Sequence, residues 1–191
     1  MSDIPAEDWI QHHARYAPQR EALHDLNSGR RFTYQEMDRR VQKVALWLRN
    51  GLGVEQGDRV AVLSHNDSDV FEIKFACRRV GAIFLPLNWR LAVPELEFIC
   101  NDATPRVLIY GVEFASNAAD VGRLGNIPCL ATMNNGAESE YEAGIQAAFG
   151  DLSVPPLNLD HVWTIMYTSG TTGRPKGAQN TYRMTLFNAL H

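Results

Sequence analysis

The sequence predicts an α/β fold, a parallel or mixed sheet covered by helices on both faces. Short apolar runs alternate with stretches of helical period, and Gly, Asp or Pro stands at the junctions between them. Strands separated by helices of about ten residues or more form βαβ units, which lay helices on both sides of a sheet. The chain has 191 residues, 45% of them apolar and 21% charged, a composition that supports a globular core.

The best-formed helix is predicted from about Thr33 to Asn50. Thr33 and Glu36 form a capping box, and Met37, Val41, Val44, Ala45 and Leu48 share one face. Gly51 is placed to end it in a left-handed conformation. Arg59–Leu63 then reads as a buried strand. Asp67 or Ser68 caps a helix carrying Val70, Phe71, Phe75 and Ala76, which stops near Gly81. Ala82–Leu85 is a second strand, closed by Pro86. Pro94 sits in the first turn of a helix with Leu96, Ile99 and Cys100, and Arg106–Tyr110 is a third strand.

The pattern weakens from Gly111 to Leu159. A helix near Glu113–Val121, a short strand near Cys129, a polar loop over Met133–Glu140 and a helix near Tyr141–Phe149 are expected there. The organisation expected overall is an α/β unit over residues 1–160, followed by a strand, a loop and the opening of a helix over 161–191.

Charge and cysteine content narrow the functional classes. Eighteen Lys and Arg against 22 Asp and Glu give a net charge of −4, so no basic excess points to nucleic acid or an anionic membrane. No run of about 18 apolar residues is long enough to cross a membrane. The N-terminus lacks the apolar stretch of a secretory signal. Three widely spaced cysteines fit neither a disulfide framework nor a zinc site, and a cytoplasmic setting is expected.

The chemistry concentrates in one segment. The apolar run His161–Tyr167 leads into Thr168-Ser-Gly-Thr-Thr-Gly-Arg-Pro-Lys-Gly177, which holds three glycines, four hydroxyl side chains and one lysine. Glycines let backbone N–H groups approach phosphate oxygens, hydroxyls donate further hydrogen bonds, and lysine brings a mobile positive charge. It is not a Walker A loop: counted from Gly170, Pro175 stands where the second glycine belongs and Gly177 where Ser or Thr belongs. The competing reading is a plain hairpin tip. The joint occurrence of these residue types directly after a buried strand favours phosphate binding.

Elsewhere the chemistry-bearing residues have bland readings. The six histidines show no ligand spacing. Cys77 and Cys100 lie among apolar helix residues as inert small hydrophobes. Trp89 and Arg90 read as a loop packed beside Pro86. Arg39-Arg40 and Arg78-Arg79 read as solvated helix faces or helix ends.

Tyr167–Gly177 resembles the phosphate-loop signature of the adenylate-forming superfamily, which contains acyl-CoA synthetases, luciferases and peptide-synthetase adenylation domains. Arg31-Phe-Thr-Tyr34, Gly57–Val62, Gly81-Ala82, Pro86–Leu91, Glu95-Leu96 and Asp102–Pro105 follow in the family's order. The resemblance implies the first subdomain of the large N-terminal domain of such an enzyme. It implies a carboxylate attacking the α-phosphorus of ATP to give acyl-AMP and pyrophosphate, then a thiol, usually that of coenzyme A, displacing AMP. Carried over, Thr168, Ser169, Gly170, Thr171, Thr172 and Gly173 would cradle the β- and γ-phosphates. Lys176 would offset charge on the leaving group, and Thr168 would be the ligand for a phosphate-bridging Mg²⁺.

Tyr182 departs from the histidine that many relatives place six residues after the loop lysine. Family members are also more than twice as long, so the chain is expected to be the front part of a longer ligase and inactive alone. Thr164–Gly170 and Pro86–Leu91 most resemble fatty-acyl-CoA synthetases and related aryl-CoA ligases, which implies a fatty or other hydrophobic acid as substrate. The remainder of the parent chain would be a partner, and a homodimer is compatible with the resemblance. An adenylation module loading a carrier protein, and a stand-alone nucleotide-binding fragment, stay open as alternatives.

Overall fold

A computed structural model of the chain describes residues 4–133, 139–169 and 174–190, Ser169 by its backbone. The six-stranded sheet is built of β3 (Arg59–Leu63), β4 (Ile83–Leu87), β5 (Val107–Gly111), β6 (Cys129–Met133), β7 (Val162–Ser169) and β8 (Pro175–Thr181). Their spatial order is β6-β5-β3-β4-β7-β8, and only β8 runs antiparallel to its neighbour. A separate antiparallel pair, β1 (Glu21–His24) and β2 (Arg31–Thr33), precedes it.

Alternation along each strand divides the core in two. Val60, Val62, Phe84, Val107 and Ile109 face the cluster that includes residues of α1 (Trp9–Tyr16), α2 (Tyr34–Leu46), α3 (Ser68–Val80) and α6 (Glu140–Ala147). Ala61, Leu63, Leu85, Leu87 and Leu108 face α4 (Val93–Ala103) and α5 (Ala115–Leu124) on the other side. Helices therefore cover both faces, as parallel strands require. Each fully buried Val, Leu or Ile contributes roughly 1.5–3 kcal/mol of burial free energy.

The sequence signals have local causes. The Thr33 hydroxyl accepts from the Glu36 amide at 3.3 Å while Glu36 accepts from the Thr33 amide at 2.8 Å, completing the box. Asp67 caps α3 through the Val70 amide at 2.9 Å, and Gly81 ends that helix at φ 74°.

Four expectations need correction. Gly51 is not among the residues with positive φ; the left-handed residue is Gly53, at φ 65°. Gly51 ends a wide turn, Trp47–Gly51, in which the Leu52 amide reaches the Trp47 carbonyl at 3.0 Å. Gly51 is needed because an added Cβ would lie 2.7 Å from the Trp47 ring.

The second strand does not close at Pro86. It stays in register with β3 to Leu87, while its recorded pairing with β7 is at Phe84 and Thr164. Residues Pro175–Gly177, read as the end of the loop, belong to β8 (Pro175–Thr181).

Arg78 and Arg79 stand in the last turn of α3, as the helix-end reading has it, but they are buried, and Arg40 is half-buried. Arg79 is 2% exposed; its Nε donates to Asp8 Oδ2 at 2.8 Å and its Nη2 to Asp38 Oδ1 at 2.5 Å. Arg78 is buried and donates to the Ala6 carbonyl. Arg40 donates to Glu72 and to Glu142, both at 2.5 Å, tying α2 to α3 and α6. Only Arg39 faces solvent. Of the predicted polar loop, residues 134–138 lie outside the described residues.

Candidate functional site

Strands β7 and β8 form a hairpin whose last pairs are Tyr167 with Gly177, Thr168 with Lys176 and Ser169 with Pro175. The predicted loop is therefore shorter than Thr168–Gly177, because both of its ends are strand. Thr168 and Lys176 lie directly opposite each other in register, and both are exposed. Gly170, Thr171, Thr172 and Gly173 lie outside the described residues.

The stem is anchored at two levels. Near its top, Ile165 and Tyr167 pack with the α4 cluster, and the Tyr167 hydroxyl donates to Asp102. Burial first, and this carboxylate second, push the Tyr167 phenol above its ordinary pKa. Gly177 makes room for that ring: an added Cβ would lie 3.0 Å from its Cζ.

At the base, α7 (Tyr182–Leu190) follows β8 directly. The Tyr182 amide donates to His161 O at 3.1 Å, and the Arg183 amide to Leu159 O at 2.8 Å. The Arg183 guanidinium reaches Asp160 at 2.7 Å and holds that carboxyl below its usual range. Tyr182 is buried and stacks on Trp163 with centroids 5.2 Å apart.

Asp102 has no local signal of this role: in the sequence it stands only within Asp102–Pro105, and its partner is 65 residues away. Trp89 packs in a T-shaped contact with His65 at 4.4 Å and tilted against Phe114, with Arg90 4.1 Å above the Trp89 ring. Cys77 and Cys100 are buried, which raises both thiols, Cys100 to about 12, and fits their inert reading. Among the described residues no group of three or more His, Cys, Asp or Glu could hold a metal ion, and no helix is long and apolar enough to cross a membrane.

The family described as AMP-binding enzyme matches residues 10–191. A feruloyl-CoA synthase of Amycolatopsis sp is 38% identical over 185 residues, covering 96% of this chain and 34% of that protein. A long-chain-fatty-acid–CoA ligase of Mycobacterium tuberculosis is 34% identical over 173 residues, covering 91% of this chain and 34% of its own length. The inhibitor-bound N-terminal domain of FACL13 from Mycobacterium tuberculosis superposes with a TM-score of 0.82 at 31% identity, over 95% of this chain and 45% of that one. The chain spans about a third of the length of the curated relatives it matches. With the signature segment on a hairpin of a mostly parallel sheet and the match running through to the last residue, the chain belongs to the AMP-binding enzyme family.

Proposed function

We propose that the chain carries the phosphate-handling part of an ATP-dependent acid–CoA ligase acting on a fatty or other hydrophobic carboxylic acid. A carboxylate oxygen attacks the α-phosphorus of ATP, and the bond to the β-phosphate oxygen breaks to release pyrophosphate. The coenzyme A thiolate then attacks the acyl carbon, and AMP leaves with the bonding pair. In this reading the loop at the hairpin tip, with Thr168, Ser169, Gly170, Thr171, Thr172 and Gly173, holds the β- and γ-phosphates. Lys176 neutralises charge that grows on the departing pyrophosphate, which selectively stabilises the transition state.

The observation that carries the reading is the register of Thr168 against Lys176. It sets a hydroxyl and a cation at the two mouths of the glycine-rich loop, on a stem pinned at both ends. A magnesium ion, when bound, offsets phosphate charge. The exposed Thr168 hydroxyl is the hard oxygen donor that would hold it, consistent with an ion that keeps most of its waters.

The test is the burst of pyrophosphate release by the whole ligase. Lys176→Ala should slow it by on the order of a hundredfold or more, as loss of a preorganised charge partner does. An unchanged burst removes Lys176 from the mechanism. Thr172→Val should weaken MgATP use with the fold intact; unfolding would make that hydroxyl structural.

A second acceptor is supported by a relative from Streptomyces coeruleorubidus, 32% identical, whose name is fatty acid–[acyl-carrier-protein] ligase. Incubation with ATP, acid and either coenzyme A or a phosphopantetheinylated carrier separates the two readings by which thioester forms.

A further inference from the structure

We infer that Arg59, the first residue of β3, is a positioning residue for the phosphate loop and acts on it through the last turn of α4. This role rests on the function proposed above, since the loop is the one read there as holding the β- and γ-phosphates.

The Arg59 guanidinium closes the C-terminus of α4. Its Nε donates to Ala103 O at 2.6 Å, and its Nη2 donates to Thr104 O at 2.7 Å and to Thr104 Oγ1 at 2.5 Å. Its Nη1 turns back to Gly57 O at 2.9 Å. Carbonyls at a helix end lack intrahelical donors and carry partial negative charge, so a cation that also donates hydrogen bonds is favoured there. The rigid fork of an arginine meets both carbonyls from one side chain. Strand β3 lies between β4 and β5, so the fork starts from an interior strand of the sheet.

The turn that Arg59 holds runs against the preferences of its residues. Thr104 is left-handed, at φ 45° and ψ 63°, and among the described residues Asn126 is the one other non-glycine residue with positive φ. A β-branched side chain at positive φ is an outlier. Pro105 follows, and a proline ring clashes with a helical backbone at the residue before it, favouring an extended one. Such a conformation persists where surrounding contacts over-determine it. Here the Arg59 donors do so, with the Thr104 amide donating to Cys100 O at 2.8 Å.

The same turn carries the support of the loop. Asp102 directly precedes Ala103, its carboxylate accepts from the Tyr167 hydroxyl, and Tyr167 adjoins Thr168, which pairs with Lys176. The recorded pairing of β7 with β4 is at Thr164, three positions before Tyr167. A cavity of about 370 Å³ lies beside the stem, with Arg59, Asp102, Thr104, Tyr167 and Gly177 in its walls. Packing therefore leaves the stem room to shift, and the link from Arg59 through α4 to Tyr167 sets its place. Without the Arg59 donors Thr104 relaxes toward an extended backbone, and Asp102 moves with it.

The test measures KM for MgATP in the proposed whole ligase. Arg59→Met keeps an apolar stem and removes the donors; it should raise KM for MgATP about fivefold and leave KM for the acid within about twofold. In a Tyr167→Phe background the same substitution should add about twofold or less, because the link is already cut. Combining Arg59→Met with Thr104→Gly should bring KM for MgATP back toward the wild-type value, since glycine takes positive φ without an arginine to hold it. An unchanged KM in a folded Arg59→Met variant, an equal rise in both backgrounds, or no recovery with Thr104→Gly overturns the role. Should Arg59→Met fail to fold, Arg59→Lys decides, with a rise of about two- to threefold that vanishes in the Tyr167→Phe background. A whole protein that releases no pyrophosphate with any acid overturns the proposed function instead, and the link is then read from the ¹⁵N–¹H signals of Thr168 and Lys176 in the full chain. Arg59→Met and Tyr167→Phe should each shift both signals, and the double variant should shift them little further. Signals that stay in place in Arg59→Met overturn the link.

Discussion

The Tyr167 hydroxyl donates to Asp102 Oδ2, joining the stem of the β7–β8 hairpin to the last turn of α4 across 65 residues of chain. The contact lies one position before Thr168, so it fixes where the first hydroxyl of the loop begins. Tyr167→Phe keeps the ring packed and removes only this bond. The pair is partly exposed, so the loss should be about 0.5–1.5 kcal/mol, a fall in Tm of a few degrees. If the stem positions the loop, KM for MgATP in the proposed whole ligase should rise several-fold. A fall in Tm with unchanged ATP kinetics would make the contact purely structural.

Gly144→Ala should destabilise the chain, although alanine is the better helix former by about 1 kcal/mol. The Trp47 ring lies against Gly144 of α6, where an added Cβ would sit 2.2 Å from Nε1, and is flanked by Gly51 as well. Trp47 is 8% exposed and makes an edge contact with the buried Tyr141, so it cannot swing away freely. Overpacking of this kind costs about 1–3 kcal/mol and outweighs the propensity gain. A thermal melt checks the sign. In a double-mutant cycle, Trp47→Leu should remove most of the penalty.

The parts of the fold legible in the sequence are those whose cause is local. Strands β3, β4 and β5 are short apolar runs because both of their faces are covered, and α2 and α3 declare themselves through Thr33, Glu36, Asp67 and Gly81. Strand β8 is illegible because Pro-Lys-Gly-Ala-Gln-Asn-Thr has no apolar alternation; its middle residues are exposed and pairing with β7 holds it. Strands β1 and β2, of four and three residues, are too short to show a period. The residue types of the loop are legible. The supports at Tyr167–Asp102 and Arg79–Asp8 are not, because they join residues 65 and 71 positions apart.

Arg79→Met should be among the most damaging single changes outside the apolar core. It strips Asp8, 8% exposed and also the cap of α1, of its 2.8 Å partner, leaving Arg78 at 3.9 Å. Breaking one side of a buried pair costs roughly 3–5 kcal/mol because a charge is left without its counter-ion. Urea unfolding should show the loss. Adding Asp8→Asn, which removes the stranded charge and keeps a capping oxygen, should restore part of it. A double variant no better than the single one would refute this account.

Stability should fall as pH rises from about 4 to 6, with Asp69 as one cause. Asp69 is fully buried; it accepts from Arg30, lies 3.9 Å from Arg40, and has Oδ2 without a hydrogen-bond partner among the described residues. Glu72 and Glu142 face the same two arginines. Burial outweighs the attraction of Arg30 and pushes the Asp69 carboxyl to about 6, and burial does the same to Asp67. A carboxyl with a raised folded pKa binds its proton more tightly in the folded chain, so folding is favoured below the folded pKa and loses that advantage through the window. Asp25, held at about 2 by hydrogen bonds that include the Ser28, Asn27 and Ser68 amides, acts in the opposite sense only below about 4. Urea midpoints of the wild type at pH 5, 6 and 7 should therefore decline over the first interval and level off by the second. Asp69→Asn should flatten the decline by on the order of 1 kcal/mol. Parallel curves for the two proteins would mean that the Asp69 carboxylate stays ionised throughout the window, with Arg30 and Arg40 compensating fully for its burial.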